Sequence, residues 1–169
     1  RIAAAAPGTF VMNRQSFLLA GGDQDSEQIW PGFTAAGFDH EDCLLAMAPR
    51  PVRVLATQYD FFPIEGTRRT VARCKRFWKM LGKEDCVDLV EDPSVHKYTV
   101  TLARAAAGFF NRHLLGREVS TAGLQAKPFE PSKLWCTKSG QVRGEIPGAC
   151  FVHESNHERL REVEAIRKT

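Results

Sequence analysis

No stretch of this sequence approaches the ~18–20 consecutive apolar residues that a helix needs to cross a bilayer, so no membrane span is expected. Charge of one sign is also missing. Lys and Arg number 23 against 20 Asp and Glu, for a net charge of +3, and the basic residues are spread over several segments. A nucleic-acid partner, which calls for a concentrated basic face, is not indicated. Glycine and proline follow no period, and no internal repeat or low-complexity tract occurs, which excludes collagen-like readings. The five cysteines contain no C-x-x-C pair, so zinc-ribbon and thioredoxin-type sites are excluded, and an odd number cannot pair completely. Cys74 and Cys86 fall in expected regular elements and read as buried thiols, while Cys136 and Cys150 flank an expected hairpin that a bridge would close. The chain opens at Arg1 with neither Met nor a leader pattern, and the expectation is that further sequence precedes it.

What remains is a globular composition. The 169 residues are 43% apolar and 25% charged, enough for one core and too apolar for disorder. Residues 2–6 (Ile-Ala-Ala-Ala-Ala), stopped by Pro7-Gly8, fit either a short buried strand or a helix end. Residues 21–37 are rich in Gly, Asp and Gln and read as irregular, followed by a brief helix over 41–48. Val52 to Ala56 is β-branched and apolar, a strand running into Gln58-Tyr59-Asp60. From Thr67, the spacing of Val71, Cys74, Trp78 and Leu81 predicts a helix that Gly82 stops. Cys86 to Val90 is a second strand, ending in the polar loop Glu91 to His96. A second helix is expected over 99–115, with Leu102, Ala106, Phe109, Phe110 and His113 along one side. This strand–helix–strand–helix order implies right-handed crossovers and a parallel sheet covered by helices, with chemistry beyond the carboxyl ends of the strands. Residues 117–132 read as a linker. A hairpin is expected around Lys138-Ser139-Gly140 and a helix over 156–168, with Leu160, Val163 and Ile166 turned inward.

Three constellations carry potential chemistry. Asp60 and His96 each follow a strand at its carboxyl end, with one helix between them, so neighbouring loops would bring a carboxylate to an imidazole. Hydrolytic catalysis uses that pair: the carboxylate orients the ring and stabilises the imidazolium, and the histidine moves the nucleophile's proton. The order acid then base matches Ser…Asp…His chains, yet no serine or cysteine sits in G-x-S-x-G. Ser16, Ser94 and Ser139 all lie in other contexts, and the nucleophile is expected outside this chain. His153-Glu154-Ser155-Asn156-His157 is a literal H-E-x-x-H, the zinc-peptidase pattern. Ser155 and Glu158 read as a capping box that starts the helix at Asn156 and leaves His153 outside it, so no metal site is expected. Asp23-Gln24-Asp25-Ser26-Glu27 alternates carboxylates like a calcium loop, but Gln28 and Thr34 stand where an EF-hand needs Gly and Glu.

The segments Ala48-Pro49-Arg50-Pro51-Val52, Asp60-Phe61-Phe62-Pro63-Ile64-Glu65-Gly66 and Phe109-Phe110-Asn111-Arg112-His113, with His96 between them, resemble the C-terminal half of bacterial acetyl xylan esterase-like α/β-hydrolases. Gln24 to Gly32, with Trp30-Pro31, is similar to the same group, and the resemblance covers roughly residues 1–116. It implies the C-terminal portion of a three-layer α/β-hydrolase fold (1–116), with the linker (117–132) and the hairpin-and-helix tail (133–169) beyond it. It further implies a serine ester hydrolase without cofactor, acting on an acylated carbohydrate such as acetylated xylan. Asp60 would be its acid and His96 its base, and the nucleophile and oxyanion-hole donors would lie upstream of Arg1. The chain alone would then be inactive. Its partners would be the ester substrate and either the N-terminal half of the hydrolase or another copy, and export to the periplasm or medium is the expected location. The alternatives are a non-catalytic hydrolase-like binding module and, more distantly, a zinc peptidase using His153 and His157.

Overall fold

A computed structural model describes residues 2–22, 28, 30–125 and 127–168. The chain forms two units, 1–125 and 126–169. The first is mixed α/β. In chain order it holds α1 (Arg14–Leu19), α2 (His40–Leu45), β1 (Val52–Thr57), α3 (Ile64–Met80), β2 (Val87–Asp92) and α4 (Val100–Leu115).

β1 and β2 pair in parallel, Val52 opposite Val87 through Thr57 opposite Asp92. Alternation along β1 sends side chains to two helical covers. Val52 and Val54 join Val71, Cys74 and Trp78 of α3 and Leu44 and Met47 near α2 in one cluster, while Leu55 meets Leu102 and Ala106 of α4 in another. Trp78 is fully buried and its indole Nε1 donates to Arg50 O at 3.2 Å, which satisfies the one polar atom of a large core ring. Burial of such side chains contributes about 2 kcal/mol each. Arg53 faces the α4 side, where it forms a bidentate pair with Asp88 opposite it (2.9 and 2.6 Å) and donates to Ala105 O. The described sheet thus has two strands.

The N-terminal segment resolves to an extended edge rather than a helix end. Ala5 and Gly8 bridge in parallel to Val52 and Leu55. Ala5 N donates to Pro51 O, Arg53 N to Ala5 O and Leu55 N to Pro7 O.

α3 starts at Ile64, three residues before the expected Thr67, because Pro63 pre-sets the backbone at its N-cap. It ends as expected: Gly82 adopts φ +66°, and Lys83 N reaches back to Trp78 O at 2.9 Å. Leu81 lies past the last turn and is exposed. Thr99 caps α4 through its hydroxyl, and Gly116 (φ +62°) closes it. The residues after α4 turn back onto it, with Arg104 Nε donating to Leu124 O at 3.1 Å.

The second unit departs from expectation in several respects. No strand forms among its described residues, so the hairpin around Lys138-Ser139-Gly140 is absent. The Glu145 carboxylate accepts from Lys138 N (2.8 Å) and Ser139 N (2.7 Å), amides of the expected turn. α5 runs from Val152 to Arg167, starting four residues before the expected Asn156. Glu154, not Glu158, supplies the first-turn acceptor, taking Phe151 N at 2.8 Å and pairing with Arg143 at 2.6 Å. Leu160 and Ile166 are exposed rather than inward, and no described residue of this unit is buried, so it has no core to receive them. The five cysteines are free. Cys74 is buried and Cys86 half-buried, while Cys136 and Cys150 are exposed and unbridged.

His40, on α2, is 4% exposed, and its Nδ1 accepts from Met12 N at 3.4 Å, which requires that nitrogen unprotonated. Burial pushes its pKa below the ordinary value; Asp39 opposes this and Arg14 reinforces it. The unfolded chain therefore takes up this proton first as pH falls, so stability declines below about pH 6.5. The urea midpoint of the wild-type chain should drop between pH 7.5 and 5.5 by more than that of His40→Asn, whose amide oxygen can accept without titrating. Equal losses in both proteins would remove His40 as the source.

Candidate functional site

The site forms where the ladder of β1 and β2 runs past the strand ends. Gln58 N donates to Asp92 O at 2.9 Å and Tyr59 N to Ser94 O at 3.1 Å, so the β1–α3 and β2–α4 loops leave the sheet stapled together. Side chains reinforce the staple. Glu91 accepts from Gln58 Nε2 (2.9 Å) and takes a fork from Arg68 (2.8 and 2.6 Å). The Arg68 hydrogen bonds, aided by Gln58 and opposed by partial burial, hold Glu91 below the usual carboxylate range. The Asp92 carboxyl is likewise lowered, first by Ser94 and then by the hydroxyls of Thr101 and Thr99, which ties the second loop to the start of α4.

Asp60 and His96, expected to meet, do so. His96 Nδ1 lies 3.0 Å from each oxygen of Asp60. The carboxylate is 1% exposed and the imidazole 46%. A carboxylate only accepts, so Nδ1 carries a proton, and in the neutral ring Nε2 is the nitrogen with the lone pair. Two further donors fix the acid: Thr57 Oγ1 to Oδ2 at 2.5 Å and the Phe62 amide to Oδ1 at 3.2 Å. Phe62 is buried against Met12 and Phe17, and Phe61 lies against the His96 ring at 4.4 Å between centroids. Thr57 was not singled out from the sequence, and Phe61 and Phe62 were named only within the segment that carries the resemblance, with no contact expected of them. Their only signal is position, just before and just after the strand-end carboxylate.

The other marked residues do not join this site. His96 Nε2 is hydrogen-bonded to no described residue. Ser94 Oγ donates to Val95 O, and Ser16 Oγ accepts from Arg69. Asp23 to Glu27 lie outside the described residues. His153 lies inside α5 rather than before it, so His153 and His157 share one helix face. Glu154 between them is committed to Phe151 N and Arg143, with its pKa lowered chiefly by that amide, and so is poorly suited as a base. Among the described residues no three His, Cys, Asp or Glu side chains are grouped to hold a metal.

Chemically, such an arrangement can serve acid–base chemistry: a buried carboxylate holds an imidazole whose second nitrogen is hydrogen-bonded to no described residue. Comparison with known proteins adds the following. No family model matches the chain, and no curated protein does. Among solved structures, the chain is similar to the methylesterase BT1017, at 17% identity and a TM-score of 0.55 over 75% of this chain. It is also similar to the glucuronoyl esterase catalytic domain Cip2_GE from Hypocrea jecorina, at 20% identity and a TM-score of 0.43 over 59% of this chain. The chain spans 28% of the length of each. The likeness to the methylesterase is one of fold.

Proposed function

We propose that residues 1–125 are part of an α/β-hydrolase-type carboxylic ester hydrolase in which Asp60 and His96 are the acid and base. The observation that carries this reading is the Asp60 carboxylate, closed from solvent and bonded to His96 Nδ1 beyond the carboxyl ends of two parallel strands. The shared fold with a structure named a methylesterase agrees with ester chemistry. The sequence resemblance supports an acylated carbohydrate, such as acetylated xylan, as the substrate class.

In this mechanism a serine hydroxyl attacks the ester carbonyl carbon while His96 Nε2 takes its proton. The imidazolium then delivers that proton to the departing alcohol, and water repeats the cycle on the acyl-enzyme. Asp60 keeps the ring in the required tautomer and faces the positive charge. The nucleophile, on this reading, lies upstream of residue 1. The open sheet edge supports such a docking. Ala5 and Pro7 bond towards β1, so alternation turns the N–H and C=O groups of Ala4 and Ala6 outward, and they pair with no described residue. Beside this edge lies a cavity of about 610 Å³ lined by Ala5, Phe10, Val11, Leu44 and Met47 among others. A further parallel strand, from upstream sequence or from another copy, would pair the open rungs and cover the apolar wall.

The test is fluorophosphonate labelling of the polypeptide as isolated from its source, followed by intact mass and peptide mapping. Label on one serine upstream of residue 1, abolished by His96→Ala, is the expected result. A folded, full-length product that takes no label would favour a hydrolase-like binding module instead. In the labelled enzyme His96→Ala should lower kcat by several orders of magnitude and Asp60→Asn by about 10⁴, with the fold retained.

Thr57→Val removes one neutral donor from a buried carboxylate without changing side-chain shape. Its kcat should fall about ten-fold, with Thr57→Ser restoring it. A Thr57→Val enzyme as fast as wild type would show that the carboxylate needs no help from the strand end.

A further inference from the structure

Resting on the hydrolase reading, we propose that Phe61 is a positioning residue for His96, holding the imidazole from one face and stabilising it as a cation during turnover. The observation is a chain of aromatic rings that climbs from the core to the site. Phe17 meets Phe62 at 5.0 Å between centroids, Phe62 meets Phe61 at 4.6 Å, and Phe61 meets His96 at 4.4 Å. Phe17 and Phe62 are buried with Met12 and need no other explanation. Phe61 does, because it is 56% exposed on a loop where a polar residue would cost nothing in packing.

Its position answers a problem that the dyad leaves open. Asp60 restrains His96 at a single nitrogen, and the ring is otherwise on an exposed loop, free to turn about that contact. Phe61 lies against the imidazole at an interplanar angle of 32° and so blocks one side of that rotation. Phe62 adds a second ring contact at 5.9 Å, and its amide holds Asp60, so one dipeptide grips both members of the pair. The ring face also carries a negative potential, and a cation within about 6 Å of it is attracted. In each half of this cycle His96 is positive only between taking the proton of the attacking hydroxyl or water and passing it to the departing oxygen. An interaction that exists only then lowers the barrier without tightening substrate binding.

Aromaticity and bulk are separable. In the complete enzyme, Phe61→Ala and Phe61→Leu should both lower kcat about ten-fold with KM little changed, while Phe61→Tyr should stay near wild type. Leu fills the space but offers no π face, so full activity in Phe61→Leu would overturn the proposal. A rise in KM with kcat unchanged would overturn it too, by making Phe61 a substrate contact. His96→Ala, measured alongside, separates the two levels of the argument. If it is inactive while Phe61→Ala matches wild type, the positioning role fails and the hydrolase reading stands. If His96→Ala is fully active, the hydrolase reading itself fails.

Discussion

The register between β1 and β2 is the constraint on which the site depends. Thr57 stands opposite Asp92, and from that last rung the two loops need only three and four residues to bring Asp60 and His96 together. A slip of one residue would turn every side chain of one strand to the other face. Two features hold the register. Arg53 lies directly opposite Asp88 and binds it through two nitrogens, an arrangement that only one alignment allows. The apolar side chains alternate between the α3 cover and the α4 cover, so a slipped strand would bury Arg53 against Trp78. Beyond the strands, Gln58 N to Asp92 O and Tyr59 N to Ser94 O carry the ladder into the loops. The geometry of the Asp60–His96 pair is thus inherited from sheet pairing rather than built by the loops themselves.

Two carboxylates near this point are treated differently, and the contrast is informative. Glu91 is met by a guanidinium fork from Arg68, which neutralises it and assigns it to bracing. None of the hydrogen bonds to Asp60 comes from Lys or Arg. It is held by a hydroxyl, a backbone amide and the imidazole. Neutral donors offset the loss of water around a buried carboxylate without cancelling its charge. The charge is therefore left facing His96, the one basic side chain hydrogen-bonded to it among the described residues.

The alternation of strands and helices over 50–116 was readable in the sequence, and so was the meeting of Asp60 with His96, because both follow from periodicity and from parallel connection rules. The contacts that Thr57, Phe61 and Phe62 make with this pair were not readable. Nothing distinguishes a threonine at a strand end or two phenylalanines in a loop until the backbone shows which way they point. The failures beyond residue 130 have a common cause. Local signals there competed with no core to arbitrate: Ser155 with Glu158 made a plausible helix start, yet Glu154 took the Phe151 amide first. The expected hairpin lost its turn donors to Glu145 in the same way.

The same comparison explains why one His-containing pattern reads as a site and the other does not. His153 and His157 share a helix face, which is the spacing a zinc ion would want. Both are exposed, on a unit with no buried described residue; Phe151 stacks on the His153 ring at 5.6 Å, and no third ligand is grouped with them among the described residues. His96 is also partly exposed, but its orientation is fixed by a buried acid, which is fixed by a strand end, which is fixed by paired register. Catalytic work needs that descending order of rigidity, since a group misplaced by about an ångström forfeits much of its rate advantage. A motif supplies the right atoms; only the packed layers beneath it supply their direction, and in this chain those layers lie under Asp60 and His96.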